Sequence, residues 1–134
     1  MKSTSEKTKN EQSKQKKPAN DECSDASGKS PIVKVKFTPP NNFEFSCTQV
    51  TMRAAGKIQL HQVPSDDPWI FVSVNELPSP EFTSTIAGDG KTATVSDDHK
   101  SLKEYHYSIT IRDATGEHTS GDLTVTNPPM IRNQ

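Results

Sequence analysis

Apolar and polar residues alternate with a period of two along much of the chain beyond residue 31. The pattern is clearest where Tyr105, Tyr107, Ile109 and Ile111 share one phase, with His106, Ser108 and Thr110 between them. Successive side chains of a strand point to opposite faces, so this run predicts a strand with one buried and one wet face. Leu123 and Val125 repeat the pattern between Asp122, Thr124 and Thr126. Two such runs joined by a short Gly-containing segment predict a β-hairpin. Val33, Val35 and Phe37 alternate with Lys34, Lys36 and Thr38, which predicts a first strand over 31–38. Its lysines suit the edge of a sheet, where charge discourages pairing with other chains. Pro39 and Pro40 end it, because neither has an N–H to give to a ladder. Phe43, Phe45 and Cys47 then alternate, before the phase slips to Val50 and Met52. A bulge near Thr48-Gln49, or a break into two short strands, accounts for the slip.

Further short strands are expected at Lys57–His61, Trp69–Val74, Phe82–Ile86 and Thr92–Val95, punctuated by Pro64–Pro68, Pro78-Ser-Pro80 and Gly88-Asp-Gly90. Trp69–Val74 is apolar on both phases, which predicts a central strand covered on both sides. No segment shows a 3.6-residue period, leaving room for one helical turn near 101–104, and no repeat of 20–50 residues is present. The predicted class is all-β: an immunoglobulin-like β-sandwich of seven to eight strands.

Composition changes where that class applies. Only 29% of the 134 residues are hydrophobic, and the mean hydropathy is −0.81. The deficit is concentrated in residues 1–30, which contain no aromatic residue and no Val, Ile or Leu. Such a segment buries too little surface to offset its conformational entropy, so a disordered polar tail is expected at 1–30 and the sandwich at 31–134. Net charge is −1, which gives the chain no long-range field toward nucleic acid or an anionic membrane. The basic run Lys14-Gln-Lys-Lys17 is short and interrupted, and reads as solvated tail. Neither a secretory signal nor a membrane-spanning stretch is recognisable. Cys47 shares the inward phase of Phe43 and Phe45, whereas Cys23 lies in the tail, so the two are expected to stay unbridged in a cytoplasmic setting.

Gly88–Asp97, Tyr105-His-Tyr107 and Asp113-Ala-Thr-Gly116 resemble the last three strands of bacterial immunoglobulin-like or fibronectin-III-like modules. The ending Asn127-Pro-Pro-Met-Ile-Arg-Asn133 is similar to that of the DP-EP family, with Asn127 where that pattern has Asp. The resemblance covers about the last third of the chain and implies a sandwich fold without an assigned activity.

Candidate chemistry is sparse. Tyr105 or Tyr107 is placed to be a corner tyrosine whose hydroxyl caps nearby backbone. His61, His99, His106 and His118 lack the spacing of a compact metal motif, although His106 and His118 would approach each other across the expected hairpin. Asp66, Asp67, Asp89, Asp97, Asp98 and Asp113 all fall in predicted loops but show no EF-hand spacing, and turn acids usually cap local amides. There is no Gly-x-Ser-x-Gly elbow and no phosphate-cradling glycine run, and Cys47 is expected to be buried. Trp69 is expected in the core rather than on a stacking platform. These readings predict no enzyme activity, no cofactor, and no catalytic or metal site. The expected role is a non-catalytic interaction or structural module with an unknown protein partner and no nucleic-acid or membrane partner, as a monomer or weak homo-oligomer. Binding would use the 31–38 edge or the end loops. The alternative is a sandwich that binds Ca²⁺, Zn²⁺ or Cu²⁺.

Overall fold

The computed structural model of the protein describes residues 22–40, 42–120 and 129–134. Among them are twelve strands: β1 (Glu22–Ser24), β2 (Ile32–Thr38), β3 (Asn42–Phe45), β4 (Gln49–Met52), β5 (Gly56–Gln62), β6 (Ile70–Asn75), β7 (Phe82–Ile86), β8 (Thr92–Asp97), β9 (Glu104–His106), β10 (Ser108–Asp113), β11 (Gly116–Thr119) and β12 (Met130–Asn133). They form three sheets, ordered β3-β2-β5-β8-β7, β9-β12-β4-β1 and β11-β10-β6. The described residues contain no α-helix, and 101–103 is irregular chain that leads into β9. No helix among them is long and apolar enough to cross a membrane.

Alternation in the sequence becomes burial in the fold. On β2, Val33, Val35 and Phe37 are buried while Lys34 and Lys36 are exposed. On β8, Ala93, Val95 and Asp97 face inward. Val33, Val35, Phe37, Ala93 and Val95 join Leu60, Phe71, Ile109, Ile111 and Ile131 in one apolar cluster that draws on all three sheets. Fully burying each aliphatic or aromatic side chain of this kind stabilises the fold by about 1.5–3 kcal/mol relative to exposure.

Alternation reports which face a residue occupies and says nothing about lateral position, so the expected edge and centre are both corrected. β2 is interior to its sheet, antiparallel to β3 on one side and parallel to β5 on the other. Its lysines protect a face, not an edge. Among the described residues β6 is itself an edge strand, paired with β10, and Ile70 is 37% exposed. The strand buried on both faces is β4, where Val50, Thr51 and Met52 are all covered. It lies between two parallel neighbours, β12 and β1. The phase slip after Cys47 is therefore a change of sheet, and two short strands account for it.

The run 104–113 is likewise two strands. Tyr107 separates β9, which pairs with β12, from β10, which pairs with β6 and β11. The hairpin partner of β10 is Gly116–Thr119, in register from Asp113↔Gly116 to Thr110↔Thr119. That strand carries no apolar residue and gave no periodic signal. The partner expected at 121–127, with Leu123 and Val125, lies outside the described residues.

The reading of the cysteines is also corrected. Cys23 and Cys47 form a disulfide with Cα atoms 5.9 Å apart, a separation typical of bridged cysteines. The bridge fixes β1 beside β4, and Asp25 reinforces it by accepting hydrogen bonds from the Arg53 and Ala54 amides at 3.0–3.3 Å. Part of the expected tail is thus an ordered edge strand. The composition argument missed it because a covalent cross-link and sheet hydrogen bonds can replace apolar burial. The remainder of the expected tail, residues 1–21, lies outside the described residues.

Candidate functional site

Three connections meet at one end of the fold: the 63–69 segment from β5 to β6, the turn before β8, and the β10–β11 turn. Between them is a cleft of about 520 Å³ whose lining includes Gln62, Asp67, Trp69, Lys91, Arg112 and Ala114. A second cleft of about 450 Å³ shares Pro64, Ser65 and Asp67 and is bordered by Lys36, Phe37 and Asp66. The 64–67 loop stands between the two.

Local hydrogen bonds shape each wall. The Asp67 amide donates to Ser65 Oγ at 3.1 Å, a short-range turn typical of Ser-Asp sequences. Gln62 Nε2 donates to the Trp69 carbonyl, tying the two ends of the loop together. The Gln62 amide donates to the Lys91 carbonyl at 3.0 Å, and the Phe71 amide to the Gly90 carbonyl at 2.8 Å. These two bonds stitch the 88–91 turn across β5 and β6. Gly90 sits at φ 73°, and a Cβ there would lie 2.6 Å from Ile70 Cβ. Both the left-handed backbone and the close approach require glycine.

The opposite wall is rigid for a different reason. Asp113 Oδ1 accepts from the Thr115 amide at 2.9 Å, from Thr115 Oγ1 at 2.6 Å and from His118 Nε2 at 3.1 Å. The Thr115 hydroxyl bond is the largest influence on its carboxyl. Together with the Thr115 amide and His118 it outweighs burial and holds the pKa below the ordinary aspartate value. Arg112 Nη2 donates to Glu117 Oε2 at 2.9 Å. The His118 ring packs on Phe37 with centroids 5.1 Å apart. Trp69, only 3% exposed, packs edge-on against Phe71 at 5.1 Å and Phe37 at 6.4 Å. It is core, as the sequence implied, and offers no free face for stacking a sugar or base.

The other expected chemistry is dispersed. His61 Nε2 pairs with Gln59 Oε1 at 2.8 Å. His106 is on β9 and His118 on β11, in different sheets. The Lys91 amide donates to Asp89 Oδ1 at 3.0 Å, the capping role expected of a turn acid. No group of three or more His, Cys, Asp or Glu placed to hold a metal exists among the described residues.

One constellation was not legible in the sequence. Glu81, just before β7, accepts at Oε2 from the Lys100 and Ser101 amides, both at 2.9 Å, and from Asn133 Nδ2 at 3.1 Å. Its Oε1 accepts from the Tyr105 hydroxyl at 3.1 Å. The corner-tyrosine expectation is refined accordingly, since Tyr105 reaches the 100–101 backbone through a carboxylate. Tyr107 is buried and its hydroxyl has no hydrogen-bond partner; burial pushes its pKa far upward. Burial also pushes Glu81 up, but the donors from Ser101, Tyr105 and Lys100 outweigh it and leave the pKa below the ordinary value. Asn133 Nδ2 also donates to Asp97 Oδ1 at 3.1 Å. Charged, polar and aromatic members come from four distant segments, and no local pattern announces them.

Comparison with protein-family models and with curated protein sequences finds no match for the chain.

Proposed function

We propose that the chain is an immunoglobulin-like β-sandwich of the DP-EP type that acts as a non-catalytic binding module, with the end-loop cleft as its contact surface. The observation that carries this reading is the convergence of three separate connections on one cleft, each held by its own hydrogen bonds. Binding loops on a rigid scaffold have this organisation. Among the described residues that line the cleft, Ser65 is the only hydroxyl side chain and there is no histidine, cysteine or tyrosine. The Asp113 carboxylate is already engaged, and this supports binding over catalysis. Two clefts flanking a single loop suit an extended peptide segment of a protein partner. Because the bridge between Cys23 and Cys47 belongs to an oxidising compartment, it moves the proposed setting away from the cytoplasm.

Selection of displayed peptides on the full chain, followed by amide chemical-shift mapping, tests the proposal. The expected shifts cluster at Gln62, Trp69, Lys91 and 112–114. Shifts confined to another face would refute it.

A second reading rests on β7. Among the described residues it pairs with β8 on one side only, and Phe82–Ile86 contains neither a charge nor a proline, so it lacks common edge protection. A partner strand could add there, with main-chain hydrogen bonds supplying affinity. The metal-binding alternative has less support, because Asp25, Asp89, Asp97 and Asp113 all accept backbone N–H groups. Raised thermal stability with Ca²⁺, Zn²⁺ or Cu²⁺ would favour it.

A further inference from the structure

Two oxygen atoms in the Glu81–Asp97–Asn133 network are buried without any hydrogen-bond partner: Asp97 Oδ2 and Asn133 Oδ1. Their residues are 2% and 3% exposed. If Asp97 were ionised, both atoms would be acceptors only, and a buried acceptor with no donor is strongly disfavoured. The two groups are already side by side, joined by the Asn133 Nδ2–Asp97 Oδ1 bond of 3.1 Å. One hydrogen on Asp97 Oδ2 would supply the donor that this pair lacks. The neighbouring acid differs: both Glu81 oxygens accept, from four donors in all. Ionic charge is satisfied at Glu81 and not at Asp97.

We propose that Asp97 is a neutral carboxylic acid in the folded domain, its Oδ2–H serving Asn133 Oδ1, and that this proton latches the β12 strand onto β8 and the 98–101 loop. Three titratable groups act on Asp97. Glu81 precedes β7, and Tyr105 lies on β9. His99 follows β8, with its amide on Asp97 Oδ1 at 2.8 Å and its Nε2 donating to the Met52 and Gln134 carbonyls at 2.9 and 3.2 Å. The Glu81 charge opposes a second charge at Asp97, whereas His99 favours one. Burial is the largest influence, and the net effect raises the Asp97 pKa. A raised folded-state value gives stability that is complete below the unfolded value, about 3.9. It is lost progressively as pH rises through the folded value.

Two measurements on the full chain test the latch. In a carboxyl ¹³C titration, Asp97 should keep its acid-form shift above the pH at which an ordinary aspartate ionises, while Glu81 titrates low. Asp97 ionising together with ordinary aspartates would overturn the proposal. In denaturant melts, the Asp97→Asn variant keeps both roles, since its amide nitrogen can donate to Asn133 Oδ1. The unfolding constant of the unmodified chain should rise roughly tenfold per pH unit relative to D97N between pH ~4 and the folded midpoint. Parallel pH profiles for the two proteins would overturn it. So would a Ca²⁺-dependent rise in melting temperature lost in D97N, which would assign the bare oxygens to a cation. If D97N fails to fold, the titration of the unmodified chain decides alone.

Discussion

Reduction of the Cys23–Cys47 bridge is the perturbation whose consequence is most directly calculable. The cysteines are 24 residues apart in sequence. A cross-link closing a loop of that length removes about 11–12 cal/mol/K of entropy from the unfolded chain, roughly 3.4 kcal/mol at 25 °C. Local contacts offset little of that loss. β1 has three residues in register with β4, from Glu22↔Gln49 to Ser24↔Thr51, and ordering each residue costs about 1–2 kcal/mol. The expected loss on reduction is therefore about 3 kcal/mol, with a fall in Tm of order 15 °C for a domain of this size. Urea melts with and without a dithiol reductant measure it, and Cys23→Ser should reproduce the reduced state. Amide exchange should show 22–24 losing protection while the β2–β5–β8 sheet keeps its own. Titration of two free thiols in the untreated native protein, or an unchanged midpoint on reduction, would refute the reasoning.

The two tyrosines should respond in opposite directions. Tyr105→Phe removes a donor from Glu81 Oε1 and should cost about 1.5–3 kcal/mol, as expected for a hydrogen bond to a charged group. Tyr107→Phe removes a buried hydroxyl with no partner and should be neutral or stabilise by about 1 kcal/mol. Denaturant melts of both variants check the pair. Gly90→Ala should destabilise by about 2–4 kcal/mol, combining the left-handed backbone with the clash against Ile70, since the new Cβ has nowhere to go. At the acid end, the lowered pKa of Glu81 gives stability present above the ordinary glutamate value. That stability is lost as pH falls through the folded value, so Glu81→Gln should flatten this acid limb of a Tm-versus-pH profile.

What the sequence made legible follows from what alternation encodes. It identified the inward faces of β2, β3, β5, β8 and β10, because each side chain's face depends only on its own strand. It misplaced β2 at an edge and the Trp69–Val74 run at the centre, because lateral order depends on pairings between distant segments. β11, with Glu117, His118 and Thr119, passed as a turn since its stability comes from the register with β10 and not from apolar residues. Trp69 was placed in the core from its flanking apolar run. Glu81 and Asn133 were invisible, for their side-chain hydrogen-bond partners lie 19 to 52 residues away in sequence. The disulfide was misjudged because the polarity around Cys23 says nothing about a cross-link that tertiary structure supplies. The cleft, assembled from three loops, has no linear signature at all.

The proposed site of partner binding is the end-loop cleft. Partner capture by the full chain, compared with two blocking variants, tests it most directly. Ala114→Trp places a bulky ring in the cleft from an exposed turn position. Ser84→Pro blocks the alternative site on β7. The Ala87 amide donates to the Thr92 carbonyl, so ladder alternation directs the Ser84 N–H away from β8, toward the open edge. Capture should be lost with Ala114→Trp and retained with Ser84→Pro. Capture retained with Ala114→Trp and lost with Ser84→Pro would contradict it and assign binding to the β7 edge.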